Sequence, residues 1–281
     1  MTTPNSHVTI SPLTPAIGAE IRGLDLSHPL DVETLAALRQ TWLERKVLFF
    51  REQTLTPEQQ LAFTRQFGEL EKYPFLPGIP GYPLIAPVLK LPHETINFGG
   101  LWHSDTTYLE MPAMGATLYS LEIPLVGGDT LFANMALAYE ALPGAIKSRI
   151  HDLRVVNSSA KADVTKTRED RIRDAGDSAL NKEFVSIHPL VRTHPETGEK
   201  ILYVNEGHAL RIDGWTEADS LPLLETLYQH QRKPEFQCRF RWSVGALALW
   251  DNRACQHYPV NDYHGYRRLL HRVSLKGDRP F

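Results

Sequence analysis

The stretch "LALWDNRACQHYPVNDYHGYRRLLHRVSLKG", residues 247–277, decides the fold. It opens on a strongly apolar strand and closes on a second one, "HRVSLKG". Along it come Asp251, Asn252 and Arg253, then His257, then Arg267, Arg268 and, within the closing strand, Arg272. Guanidinium groups that follow a buried strand suit a carboxylate, because the planar fork of donors matches its two oxygens. Any one of these arginines, read alone, is better explained as a solvated basic side chain.

Upstream of this stretch the chain reads as many strands with interrupting helices. "HVTISPL" and "GAEIRGLDLS" alternate apolar and polar residues, as half-buried strands do. "DVETLAALRQTWLERK" spaces Leu35, Leu38 and Trp42 as one helix face and leads into "VLFF", a buried strand. Thr56, Pro57 and Gln59 form a capping-box start for a second helix. "MGATLYSLEI" and "DTLFANM" are strands separated by a GGD turn, and "ALAYEALPGAIKSRIHDL" reads as one helix. A hairpin turns around Glu196–Thr197–Gly198, and the helix "EADSLPLLETLYQHQ" precedes "EFQCRFRW". There Phe236, Cys238, Phe240 and Trp242 share a face by period-two alternation.

This order has no regular βαβ alternation, so it predicts a mainly β fold with flanking helices, a sandwich or jelly roll. At 281 residues a single elaborated domain is expected. Two segments stand apart from the core. Residues 73–100 are dense in Pro and Gly, contain no long periodic segment and lead directly to His103, which suggests a lid loop. Residues 157–183 are polar and charged, and read as a mobile excursion.

A hydrophobic fraction of 42% and a net charge of −3 describe an ordinary globular chain, with no reason to expect nucleic acid or a membrane surface as partner. No apolar run approaches the roughly 18 residues that span a bilayer. The start lacks a signal-peptide pattern, and Cys238 and Cys255 are the only cysteines. These features predict a cytoplasmic protein without a disulfide framework.

In "GGLWHSDTTYLEMPAMG", residues 99–115, His103 and Asp105 stand two positions apart on an apparently extended segment. Residues i and i+2 of a strand project from one face, so both could reach one ion, of the Fe(II), Mn(II) or Zn(II) type. A hydrogen-bonded pair at a strand end explains the spacing as well. A third ligand would complete a 2-His-1-carboxylate facial triad, which leaves three coordination positions open. His188 and His194 read as a turn and its approach, and His7, His28 and His151 lie near termini or helix ends. His257 follows the strongest strand of the chain.

These segments together resemble the TauD/TfdA family of Fe(II)- and 2-oxoglutarate-dependent dioxygenases. The resemblance runs in order through "GAEIRGLDLS", "VLFFREQTLTPEQQLAFTRQFGELE", "WHSDTTYLEMPAMGATL", "GGDTLFANMALAYEALP", "HPLVRTHPETGEKILYVNEG", "LWDNRACQHYPVNDY" and "RRLLHRVSLKGDRPF". It implies a double-stranded β-helix, or jelly roll, in a homodimer or homotetramer. His103, Asp105 and His257 would hold iron, and Thr130 and Arg268 the distal carboxylate of 2-oxoglutarate. Arg272 matches an arginine that binds an anionic substrate group, and it is equally able to brace the co-substrate. O2 and 2-oxoglutarate would be consumed, giving succinate and CO2 with hydroxylation of a small organic anion. Asp105 also favours hydroxylation over halogenation, since halogenating relatives have a small residue there.

The pocket departs from the taurine-cleaving relative. Tyr73 stands where that enzyme has a histidine, His208 follows "VNEG" where it has an aromatic residue, and "NFGGLW" replaces an asparagine-rich segment. Tyr73, Thr106 and His208 are therefore candidate substrate-side residues, with His208 a source of a hydrogen bond or a charge. An alkyl sulfonate, a sulfate ester and an aryloxyalkanoate all fit this reading. A non-catalytic jelly roll that binds a metal or an organic acid is the alternative, and a zinc hydrolase a weaker one. Cys255, two residues from His257, reads as a buried, inert thiol.

Overall fold

Leu247 and Leu249 point to one side of their strand and Ala248 and Trp250 to the other, and all four are buried. Such a strand needs apolar cover on both faces, and the rest of the fold supplies it. The computed structural model describes residues 8–161 and 183–281. The first strands are β1 (Thr9–Pro12), β2 (Ala19–Arg22), β3 (Val47–Phe50), β4 (Leu70–Glu71), β5 (Ile85–Lys90), β6 (Gly115–Glu122), β7 (Thr130–Asn134) and β8 (Arg154–Ser158). They are followed by β9 (Val185–Pro189), β10 (Val191–Thr193), β11 (Lys200–Leu202), β12 (Ala209–Ile212), β13 (Gln237–Phe240), β14 (Leu247–Asp251), β15 (Cys255–Pro259) and β16 (Arg268–Leu275). The helices are α1 (Val32–Arg45), α2 (Pro57–Arg65), α3 (Met135–Glu140), α4 (Gly144–Ile150) and α5 (Glu217–Gln231).

The large sheet runs β1-β2-β3-β14-β6-β16-β4, with β5 also paired to β16. All its pairs are antiparallel except β2–β3. A smaller antiparallel sheet, β13-β7-β15, covers one face. Between the two sheets Phe49, Ala248, Trp250 and Leu270 meet Phe132, Cys238, Phe240 and Cys255. Phe49 stacks on Phe240 with ring centroids 4.0 Å apart. The opposite face of the large sheet takes Leu38 and Trp42 of α1 and Phe63 and Phe67 beside α2. This is the jelly roll expected from the sequence. α5 packs with β8, β10, β11 and β12 into a further apolar cluster outside it.

Several elements follow the sequence closely. Thr56 accepts from Gln59 N–H while the Gln59 side chain returns to the Thr56 N–H, completing the capping box. The β10–β11 hairpin turns at 194–199 as expected. Cys238, Phe240 and Trp242 share the inter-sheet face, whereas Phe236 packs in the neighbouring cluster around Trp102 and Met135.

Others differ. Residues 73–100 were expected to lack regular structure, yet Ile85–Lys90 forms β5 along β16. The expected single helix over 136–153 is two, because Pro143 cannot continue α3 and instead precedes α4. β1 pairs with β2 on one side only, and its residues are exposed rather than half-buried. Asn157 and Ser158 of the expected 157–183 excursion belong to β8, and residues 162–182 lie outside the described residues. Among the described residues no helix is long and apolar enough to cross a membrane.

Candidate metal centre

β15 carries His257, and the ladder that starts there extends by one residue pair beyond the sheet. His103 N–H donates to His257 O at 3.1 Å, and His257 N–H donates to His103 O at 2.8 Å. Residues that exchange both backbone bonds sit directly opposite and project from the same face. The two imidazole centroids are accordingly 4.1 Å apart.

His103 and Asp105 were expected on one strand, and here the structure differs. His103 forms this single bridge, and the chain then turns, with Thr106 in the left-handed region at φ 56°. A β-branched residue is strained there. Its conformation is held by the Leu109 N–H bond to Thr106 O and the Ala113 N–H bond to Thr106 Oγ1. The turn, and not strand alternation, brings the Asp105 carboxylate under the imidazoles.

Asn252, immediately after β14, fixes that carboxylate from behind. Its Oδ1 accepts from Asp105 N–H at 2.6 Å, and its Nδ2 donates to the carbonyls of Asp105 and Ala113. The sequence assigns Asn252 no role; its signal was position, a polar residue directly after the most buried strand and itself fully buried.

Ligand atoms of His103, Asp105 and His257 lie within 4.8 Å of one another. All three side chains suit a cation. His103 Nδ1 is 2.7 Å from Leu101 O, an acceptor only, so Nδ1 carries the proton and Nε2 keeps its lone pair. Asp105 Oδ2 and His257 Nδ1 are buried without a hydrogen-bond partner among the described residues. Burial lowers the pKa of His257 to about 3 and lowers that of His103, so both rings are neutral, as ligands must be. Burial would raise the Asp105 carboxyl, but the Arg272 guanidinium beside it outweighs burial and holds the carboxyl below its ordinary value. Two close approaches pack the site. A Cβ on Gly99 (φ +69°) would meet His103 Cε1 at 2.8 Å, and one on Gly207 would meet His103 Cβ at 2.9 Å.

The remaining expected residues divide into two groups along β16. Arg272 is buried, donates from Nη1 to Asp105 Oδ1 at 2.8 Å and lies with Cζ 4.2 Å from the Tyr73 ring centroid. Its Nε and Nη2 have no partner among the described residues. Tyr73, Thr106 and His208 line a pocket beside His103 and Asp105, together with Phe98, Leu101 and Tyr108. His208 Nδ1 lies 2.9 Å from the Thr107 hydroxyl. Burial and the neighbouring His103 bring its pKa to about 3, so it offers a hydrogen bond but not the charge also considered for it.

Thr130 and Arg268 form the second group. Thr130 Oγ1 accepts from Trp242 Nε1 at 2.9 Å, which leaves its own O–H to donate. Arg268 is buried beside Trp242 and Tyr263, with Nε and Nη2 unpartnered among the described residues. Gly128, at φ +73°, lets the GGD turn pass within contact of that guanidinium.

Cys255 is fully buried in the inter-sheet core, and burial raises its thiol pKa well above the ordinary value. His194 donates from Nε2 to Asp251 while its Nδ1 accepts two backbone N–H groups of the hairpin turn, a structural role.

A jelly roll with two histidines and a carboxylate gathered beside a cavity is the frame of a non-haem metal enzyme. The chain belongs to the taurine catabolism dioxygenase TauD, TfdA family, whose model matches residues 9–274. It is 36% identical over 98% of its length, and 91% of the relative's, to an alpha-ketoglutarate-dependent sulfate ester dioxygenase of Pseudomonas putida. An alkylsulfatase of Acinetobacter baylyi is 35% identical, over 98% of this chain and 87% of that one. Among solved structures, a taurine dioxygenase from Burkholderia xenovorans superposes with a TM-score of 0.82 at 37% identity, covering 97% of this chain and 92% of that one.

Proposed function

We propose that this chain is an Fe(II)- and 2-oxoglutarate-dependent dioxygenase that cleaves a small alkyl sulfate ester by hydroxylating the carbon next to the ester oxygen. The observation that carries this reading is the gathering of His103, Asp105 and His257, the first two lining a pocket, with Arg272, which donates to Asp105 and keeps two partnerless donors among the described residues. In the proposed assignment the three side chains hold Fe(II), which together with 2-oxoglutarate supplies O2 activation, the co-substrate leaving as succinate and CO2.

The chain's own groups then divide the remaining work. Thr130 and Arg268 hold the distal carboxylate of 2-oxoglutarate through one hydroxyl and a guanidinium fork. Arg272 takes the sulfate, for which Nε and Nη2 remain available beside the donor already given to Asp105. The two arginines are four residue steps apart on one strand, about 13 Å at 3.3 Å per residue, which supports separate anions over a shared one. Tyr73, Phe98, Leu101 and Tyr108 give the substrate chain apolar walls and keep water from the reacting carbon. Asp105 is the one carboxylate in the described lining, and it is engaged by Arg272, so an ammonium such as that of taurine finds no counter-charge there. An uncharged alkyl tail is favoured, in line with the sulfate-ester relatives.

Hydroxylation of R–CH2–OSO3− gives R–CH(OH)–OSO3−, whose C–O bond breaks to leave R–CHO, sulfate and a proton. Aryloxyalkanoates and alkyl sulfonates are the other anions that this pocket admits in the proposal. A cytoplasmic, self-associating enzyme completes the reading, and two buried, free cysteines suit a reducing compartment.

The test is incubation with Fe(II), 2-oxoglutarate and O2 against a panel of alkyl sulfates, alkyl sulfonates and aryloxyalkanoates. Sulfate and aldehyde formed one-to-one with succinate, fastest for an alkyl sulfate, support the reading; O2-independent sulfate release or no turnover of any anion refutes it.

A further inference from the structure

Six lysine and arginine side chains are buried among the described residues: Lys46, Lys90, Arg192, Arg253, Arg268 and Arg272. Four have a carboxylate partner: Lys46 with Glu199, Arg192 with Asp278, Arg253 with Asp251, and Arg272 with Asp105. Lys90 and Arg268 make no ion pair among the described residues, and they are not independent. In the β5–β16 ladder they are direct partners, Arg268 opposite Lys90, Leu270 opposite Val88 and Arg272 opposite Ala86.

Directly opposed residues project from the same face with Cβ atoms about 5 Å apart, and like charges in that position destabilise a sheet. Burial aggravates the repulsion, because little solvent screens it. Both cations also flank one ring: Lys90 Nζ is 4.2 Å and Arg268 Cζ 5.7 Å from the Tyr263 centroid. Asn261 Oδ1 accepts one hydrogen of the Lys90 ammonium at 2.6 Å, and its own Nδ2 is tied to Thr95 O. An ammonium has three donors, so this arrangement orients the lysine without satisfying it.

We infer that Lys90 is a second cation of the co-substrate pocket, sharing with Arg268 the distal carboxylate of the 2-oxo acid. This rests on the proposed placement of 2-oxoglutarate at Arg268 and adds a residue of β5, an element hidden in the sequence by its Pro-rich surroundings. A bound carboxylate relieves the cation–cation repulsion across the strand pair. Lys90 therefore favours a dicarboxylic 2-oxo acid over a monocarboxylic one, and makes the empty pocket less stable than the filled one.

The experiment is isothermal titration of 2-oxoglutarate and of 2-oxobutanoate, which lacks the distal carboxylate, into Mn(II)-loaded protein, with melting temperatures measured alongside. Lys90→Met is expected to weaken 2-oxoglutarate about tenfold, leave 2-oxobutanoate within twofold, and raise the melting temperature of the ligand-free protein. Lys90→Arg should restore most of the 2-oxoglutarate affinity. A lysine of purely structural role would lower the ligand-free melting temperature and leave the ratio of the two affinities unchanged, and that result overturns the inference. Arg268→Met separates the two layers. If it weakens 2-oxoglutarate while Lys90→Met does not, the role of Lys90 fails alone; if neither variant matters, the placement of the co-substrate fails with it.

Discussion

His103 and His257, 154 residues apart in sequence, form a single reciprocal backbone pair, each N–H bonded to the other's carbonyl. Main-chain hydrogen bonds thereby place the two imidazoles on one face directly opposite each other, with ring centroids 4.1 Å apart. Asp105 is brought beside them by a turn whose far side is clamped by Asn252.

The Asn252 clamp predicts a selective loss. Asn252→Ala removes three hydrogen bonds that fix the backbone on either side of the Asp105 carboxylate. Groups that orient metal ligands typically contribute about 10–100-fold in metal affinity. Titration of Mn(II) into the variant should show a weakening in that range while circular dichroism stays unchanged; undiminished affinity would show that the clamp does not position Asp105.

Arg268 and Arg272 predict separable defects, because they lie about 13 Å apart on β16. Arg268→Met should raise KM for 2-oxoglutarate roughly 30-fold, the loss of about 2 kcal/mol for a charge-assisted hydrogen bond, with KM for the sulfate ester little changed. Steady-state kinetics with each substrate varied in turn provides the check, and equal effects on both would argue for a shared anion site.

Conversely, Arg272→Leu should raise KM for the alkyl sulfate by a similar factor and leave 2-oxoglutarate binding near wild type. The measurement is initial-rate succinate formation together with 2-oxoglutarate titration. Lysine at this position should recover little, because an ammonium cannot bridge Asp105 and an anion with a planar fork.

Acid stability is predicted to depend on Asp251. It is fully buried, and accepts from Arg253 Nε and Nη2 and from His194 Nε2. Burial opposes its ionisation, but Arg253 and then His194 outweigh that and hold the carboxyl far below its ordinary pKa. With the folded pKa below the unfolded one, about 3.9, its contribution is complete above that value and drains away as pH falls through and below it. Asp251→Asn should therefore lose about 3 kcal/mol at neutral pH, because buried Arg253 then keeps only Glu196 as its carboxylate partner, and show a flatter acid limb. Urea melts from pH 7 to pH 3 test this, and a variant whose stability tracks the wild type in parallel contradicts it.

Legibility in the sequence followed burial symmetry. Strands apolar at every position, "VLFF" and "LALW", and the capped start of α2 could be placed because their patterns depend only on neighbours in sequence. His257 could be singled out because it follows the most buried strand. What stayed hidden depended on distant partners. β5 contains Pro87 and sits among turn residues, yet an edge strand tolerates a proline, and β16 supplies the pairing that its own pattern does not advertise. The ligand atoms of His103 and Asp105 do lie close together, but through a turn at Thr106 and not through the strand that their spacing suggests. Lys90 carried no motif at all, and only the register with Arg268 gives it meaning.

The central claim, that His103, Asp105 and His257 hold iron beside a 2-oxo acid fixed by Arg268, is tested most directly by visible spectroscopy. Under anaerobic conditions, Fe(II) and 2-oxoglutarate added together should give a charge-transfer absorption that neither gives alone, and His257→Ala should abolish it. No such absorption in the wild-type protein, or one that survives in His257→Ala, would contradict the account.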